Sequence, residues 1–251
     1  MKFTLLVLLT FSLVAPVCAI DKPAGESEVL WKPEVGDFWV YEVVADLPKD
    51  THISISEQFG NKRQATYKET SVYRGLDTSF YRGLVPTKKN GIDIHAFHVF
   101  HGDLLDEIQY LSIHDDAIDM VGAKTEGKTP KKVIMMGRPI PLMRSDWKGG
   151  ESFAFEIGQP VAGGKINHKK QFRVLGWETV ETKAGTFKAM QVQMMSKSGQ
   201  LEIMTSYWFA PGTGFIKEVN KSYIAEKVIY TETKVLEQTG KQELEKAPEK
   251  K

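Results

Sequence analysis

From residue 31 to about 238 the chain alternates β-branched and aromatic residues with polar ones, in short runs bounded by Gly, Pro, Asn and Asp. Apolar residues do not recur at the three-to-four spacing of a long amphipathic helix, so the period of two predicts strands. The clearest are 38–45, 65–73, 92–100, 104–113, 171–180, 187–195, 201–209, 214–223 and 227–236. Ala184-Gly185-Thr186 interrupts the alternation between two of them, and Ala210-Pro211-Gly212-Thr213 has Pro and then Gly in the order of a type II turn. Both turns are expected to reverse the chain and pair antiparallel neighbours. Within 187–195 the alternation sends Met190, Val192 and Met194 to one face. Within 201–209 it sends Leu201, Ile203, Thr205, Tyr207 and Phe209 to one face and Glu202, Met204, Ser206 and Trp208 to the other.

An internal echo suggests the organisation. Trp31-Lys32 leads through Gly36-Asp37-Phe38-Trp39-Val40-Tyr41-Glu42, and Trp147-Lys148 leads through Gly150-Glu151-Ser152-Phe153-Ala154-Phe155-Glu156. Each reads as a Gly-acid turn feeding a strand whose aromatics face one way. The expected fold is therefore all-β, an antiparallel barrel or half-barrel built from two related β-units in tandem. The units are placed at 31–144 and 145–238, with Pro139 and Pro141 as stiff connectors and 239–251, made up largely of Lys and Glu with Pro and Gly, as a disordered charged tail.

Ahead of this, residues 1–19 have the form of an export signal: Lys2, an apolar run from Leu5 to Val14 too short to span a bilayer, and Val17-Cys18-Ala19 at the cleavage point. Residues 20–30 read as a flexible leader. Lipidation of Cys18 would put a small residue just before it, and Val17 stands there. If Cys18 leaves with the signal, the mature chain has no cysteine, hence no disulfide or thiolate chemistry, which favours a bacterial periplasm or cell envelope. Composition is ordinary for a globular protein, with 41% hydrophobic and 26% charged residues. Lys and Arg number 33 against 32 Asp and Glu, so bulk charge draws the chain to neither nucleic acid nor an anionic membrane.

Three motifs carry a family resemblance: Gly36-Asp37-Phe38-Trp39-Val40-Tyr41, Thr182-Lys183-Ala184-Gly185-Thr186-Phe187-Lys188-Ala189, and Tyr207-Trp208-Phe209-Ala210-Pro211-Gly212-Thr213-Gly214. With them the chain resembles exported bacterial proteins of unknown function, well over residues 140–238 and thinly before that. The resemblance implies an antiparallel, barrel-like or half-barrel fold and transfers no activity.

Candidate chemistry is sparse. His95, His98 and His101 suggest zinc or copper, but on a strand His98 points away from the other two, which lie about 20 Å apart. Asp103, Asp106, Glu107, Asp115, Asp116 and Asp119 lack the calcium-loop spacing and read as acids of solvated turns. A nucleophile elbow and a phosphate-binding Gly loop are both missing, so neither an enzyme nor a cofactor or metal site is expected. The unusual feature is the Met and aromatic supply of the second half, which can fill a barrel or line an adaptable apolar pocket. The expected ligand-lining set is Trp177, Met190, Met194 and Tyr207, for an apolar or lipid-like ligand. A second reading makes the protein a partner of another envelope protein, meeting it through a surface that includes Trp208. An enzyme whose site only the fold assembles is the weakest reading.

Overall fold

The computed structural model describes residues 29–46, 64–75, 94–101, 104–125, 133–161 and 164–241. Residues 1–28, and with them the expected signal and Cys18, lie outside that set. The described residues form twelve strands: β1 (Asp37–Asp46), β2 (Gln64–Gly75), β3 (Ile94–His101), β4 (Leu104–Ile113), β5 (Ala117–Thr125), β6 (Val133–Arg144), β7 (Ser152–Val161), β8 (Gly164–Thr182), β9 (Gly185–Ser198), β10 (Leu201–Ala210), β11 (Gly214–Ile224) and β12 (Lys227–Lys241).

Their order in the sheet is β6-β5-β4-β3-β2-β1-β12-β11-β10-β9-β8-β7. Eight strands, β2–β5 and β8–β11, therefore lie between their sequence neighbours, and strands adjacent in the sheet are adjacent in sequence with one exception. The exception is a junction between β1 and β12, which run antiparallel from Asp37 opposite Lys241 to Asp46 opposite Thr231. The ends of the sheet are β6 and β7. They are not hydrogen-bonded to each other, yet they come close in space. A twelve-stranded sheet whose two ends meet must curl on itself, so of the two expected forms the open half-barrel is the one found. Bulges in β12 opposite Val40 and Tyr41, and in β8 between Val174 and Gly176, add the local coiling such closure needs.

Two strands, β5 and β6, were not foreseen in the sequence, and β7 only at its start, through the echo. Asp119 belongs to β5, where it pairs with Arg144 at 2.5 Å, so it is a strand residue and not a turn acid. Pro139 and Pro141, expected as connectors, lie within β6. As an end strand β6 tolerates them, because a missing N–H on an outer edge breaks no ladder bond. At the other terminus β12 continues through residues 239–241, the expected beginning of the tail, because Phe38 and Trp39 pair with Gly240 and Thr239.

Two turns repeat one design. In 34–37 and again in 148–151, the backbone N–H of the fourth residue donates to the carbonyl of the first (3.0 and 3.2 Å). The carboxylate of the fourth accepts from the N–H of the first (2.7 and 3.2 Å). The third residue is Gly36 at φ 95° and Gly150 at φ 92°, a conformation that costs other residues strain. The echo in sequence is thus an echo in backbone geometry. The turn after β10 is the type II turn expected, with Gly212 at φ 76° and Thr213 N–H donating to the Ala210 carbonyl at 3.1 Å.

The interior is plugged at one end by the segment before β1. Leu30 donates to the Asp115 carbonyl and accepts from Gly212, both at 2.8 Å, tying the β4–β5 turn to the β10–β11 turn. Trp31, 5% exposed, then stacks on Phe97 at 5.1 Å and meets Trp39, Phe209 and Phe215 edge-on at 5.2, 6.2 and 6.2 Å.

Candidate functional site

Directly paired residues in a sheet share a face, so the register lists what points inward. Near the plug the inward residues are apolar: Trp39, Phe97, Ile118, Met143, Trp177, Met190 and Phe209, all buried. Further along stand Tyr41, Leu111, Val174, Val192 and Tyr207, and then Phe172 opposite Met194. Beyond them the same face turns polar on β10–β12, while Val43 and Ala45 of β1, opposite Lys234 and Glu232, stay apolar and buried. Thr205 Oγ1 donates to Asn220 Oδ1 at 2.7 Å, and Asn220 Nδ2 donates to Glu218 at 2.6 Å and to Glu232 at 3.4 Å. Tyr230 donates to Glu232 at 2.5 Å. Lys234 lies 3.8 Å from Glu232, their side chains 20% and 13% exposed. Charges this far from water persist because each has a partner.

Between the two zones is a cavity of about 100 Å³. Rings of Trp31, Trp39, Tyr41, Phe97 and Phe215 with Leu111 and Leu142 wall it, and Gln109, Lys217, Glu218 and Lys234 give it a polar margin. Its walls are fixed from behind. The Trp39 indole N–H donates to the Thr213 carbonyl at 2.7 Å, and the Tyr41 hydroxyl donates to the Phe215 carbonyl at 2.8 Å. Tyr207 spans the interior, donating from β10 to the Leu142 carbonyl on β6 at 2.6 Å. Burial, reinforced by the Glu218 charge, pushes its phenol well above the ordinary tyrosine range.

The four residues expected to line a pocket do share the inward face: Trp177 pairs with Met190, Met194 with Phe172 and Thr205, and Tyr207 with Val192. Three of them, Trp177, Met190 and Tyr207, are 9%, 1% and 3% exposed and pack the floor. Met194 alone is half-buried. Its Sδ accepts from Lys170 Nζ at 3.5 Å. Lys170 went unnoticed in the sequence, where one lysine in a run of charged residues carries no signal. Its register opposite Phe155 and Ser196 turns it inward, and burial lowers its pKa.

Trp208 points to the other face. It is 7% exposed, with its indole N–H donating to Glu178 and Lys217 Nζ 4.5 Å above the ring. As placed it packs within the molecule, and does not offer the open surface expected for a partner. A broad hollow of about 510 Å³ opens beside β7 and β8, walled by the exposed Ser152, Ala154, Gln171 and Arg173 of the outer face together with Phe153 and Phe172.

His95, His98 and His101 lie along β3, and His114 is hydrogen-bonded to Ser112 at 3.0 Å. Among the described residues no group of three His, Cys, Asp or Glu side chains is placed to hold a metal ion. Asp103 lies outside them. No helix among the described residues is long and apolar enough to cross a membrane.

No protein-family model matches the chain, and no curated protein does. Among solved structures it is similar to an inferred lipoprotein from Parabacteroides distasonis, at 9% identity and a TM-score of 0.46, over 86% of this chain and 100% of that one. It is also similar to an inferred exported protein with a YmcC-like fold from Bacteroides fragilis, at 13% identity and a TM-score of 0.45, over 85% and 99% of the two chains.

Proposed function

We propose that this chain is an exported protein of the bacterial envelope that binds an apolar or lipid-like ligand in its half-barrel and catalyses no reaction. The observation that carries the reading is the graded inward face: an aromatic floor, a small cavity above it, and a polar zone beyond, all on one surface of one sheet. A surface graded in this way matches a molecule with an apolar body and a polar end. The inward acids are engaged by Asn220, Tyr230 and Lys234, an arrangement that suits a fixed polar wall better than a proton-transfer site. Export rests on the signal-like residues 1–19.

Native mass spectrometry of the protein recovered from a bacterial periplasm, with the bound fraction extracted and identified, tests this. A discrete added mass that extracts as lipid is the expected result. A clean ligand-free mass, unchanged on adding lipid extract, overturns it. The second reading, assembly with another envelope protein, is favoured by the unpaired outer edges of β6 and β7. Crosslinks in the envelope that map to 133–144 or 152–161 would support it.

A further inference from the structure

Resting on that reading, we infer that the polar end of the ligand is an anion, a carboxylate or phosphate head, and that Lys170 and Arg138 receive it at the open seam between β6 and β7. Both cations flank one ring. Lys170 is the cross-strand partner of Phe155, and the Arg138 guanidinium lies 5.4 Å from the centre of the same ring. Phe155 itself is 9% exposed and stacks on Phe172 at 5.4 Å. Arg138 is on β6, Phe155 on β7 and Lys170 on β8, so the pair straddles the seam between the two end strands of the sheet.

Charge balance distinguishes this spot from the rest of the inward face. Lys234 has Glu232 within 4 Å, at 3.8 Å. The contact recorded for Lys170 is the Met194 sulfur, a weak acceptor that leaves the ammonium uncompensated. For Arg138 it is the ring of Phe155. Among the described residues neither has a carboxylate partner. Burial also lowers the lysine pKa, which an arriving anion would reverse. A half-buried ammonium whose contact is a sulfur and an exposed guanidinium against the Phe155 ring suit a molecule with an anionic head and an apolar chain.

Calorimetric titration of the full chain with sodium dodecanoate, dodecyl phosphate and neutral dodecanol tests this. The wild type should bind one or both anions more tightly than dodecanol, and the better anion identifies the head. Lys170→Met and Arg138→Gln should each weaken the anion by about tenfold, the equivalent of about 1.4 kcal/mol, and leave dodecanol unchanged. Lys170→Arg, which keeps the charge, should restore most of the loss. Near-ultraviolet circular dichroism verifies that each variant is folded. Should Lys170→Met fail to fold, Arg138→Gln, at an exposed position, decides alone. Equal binding of anion and alcohol, insensitive to both substitutions, would overturn the anionic head while sustaining an apolar ligand. If none of the three probes binds, both proposals fall.

Discussion

Trp31 shows how one side chain can hold two halves of a chain together. It touches Phe97 of the first half and Phe209 and Phe215 of the second, and β11 makes room for it with Gly214. A Cβ there would come within 2.8 Å of the indole, at a φ of 99°. Trp31→Ala should lower stability by about 3–5 kcal/mol, as for other buried Trp truncations, read as a drop in the denaturation midpoint; a change below about 1 kcal/mol would mean that the plug is dispensable. Trp208→Ala should also destabilise, because that ring is covered by its own chain. Unchanged stability with loss of a captured envelope protein would return Trp208 to a partner surface. Tyr207 makes a pH prediction. Its folded pKa is raised by burial, so the stability tied to the neutral phenol is complete below the unfolded value of about 10 and is lost as pH rises above it. Tyr207→Phe should cost about 1 kcal/mol at neutral pH through the hydrogen bond to Leu142 and flatten the decline above pH 10. An equally steep decline in the variant would assign it to other groups.

Among the elements, those readable from sequence were the ones with a clean period of two and a turn residue at each end. Strand β10 has both, β9 alternates only in part because Lys188 shares the parity of Met190, and the Pro211-Gly212 turn after β10 follows from the dihedral angles those residues favour. Strands β5 and β6 have neither. Ahead of β5 the acids Asp115 and Asp116 read as loop, and Asp119 continues that signal into a strand that owes its place to pairing with β4 and to the Arg144 ion pair. In β6 the prolines read as breakers, and only the knowledge that this is an end strand makes them compatible with pairing. β7 carries Pro160, so each end strand lacks an N–H donor at its proline positions, which narrows the stretch a foreign strand could pair with. Replacing Pro139 and Pro141 together by Thr should raise the oligomer fraction seen by light scattering at equal concentration. An unchanged monomer would show that the edges are protected by other means. For the site, the parity of Met190 and Met194 was legible, while the inward direction of Lys170 and the burial of Trp208 were not. They depend on a bulge at Val174 and Gly176 and on the curl of the sheet, which no local pattern encodes.

At the scale of the whole molecule, a chain that reads as two tandem units forms one sheet. The β1–β12 junction links the first and last strands, and the Tyr207 bond from β10 to β6 crosses the interior. Shared burial of this kind makes the two halves one cooperative unit. Calorimetry of residues 20–251 should give a single unfolding transition; two separable transitions would make each half its own domain. The curl also creates the graded inward face and leaves its seam open beside Phe155.

Where a ligand rests is therefore the central question, and photo-crosslinking with a diazirine-bearing dodecanoate, followed by peptide mapping, answers it most directly. The account predicts labels on inward residues, Phe155 and Met194 foremost. Labels concentrated on Gln171, Arg173 and Met195, which wall the outer hollow, would place the ligand on the other side of the sheet and contradict it.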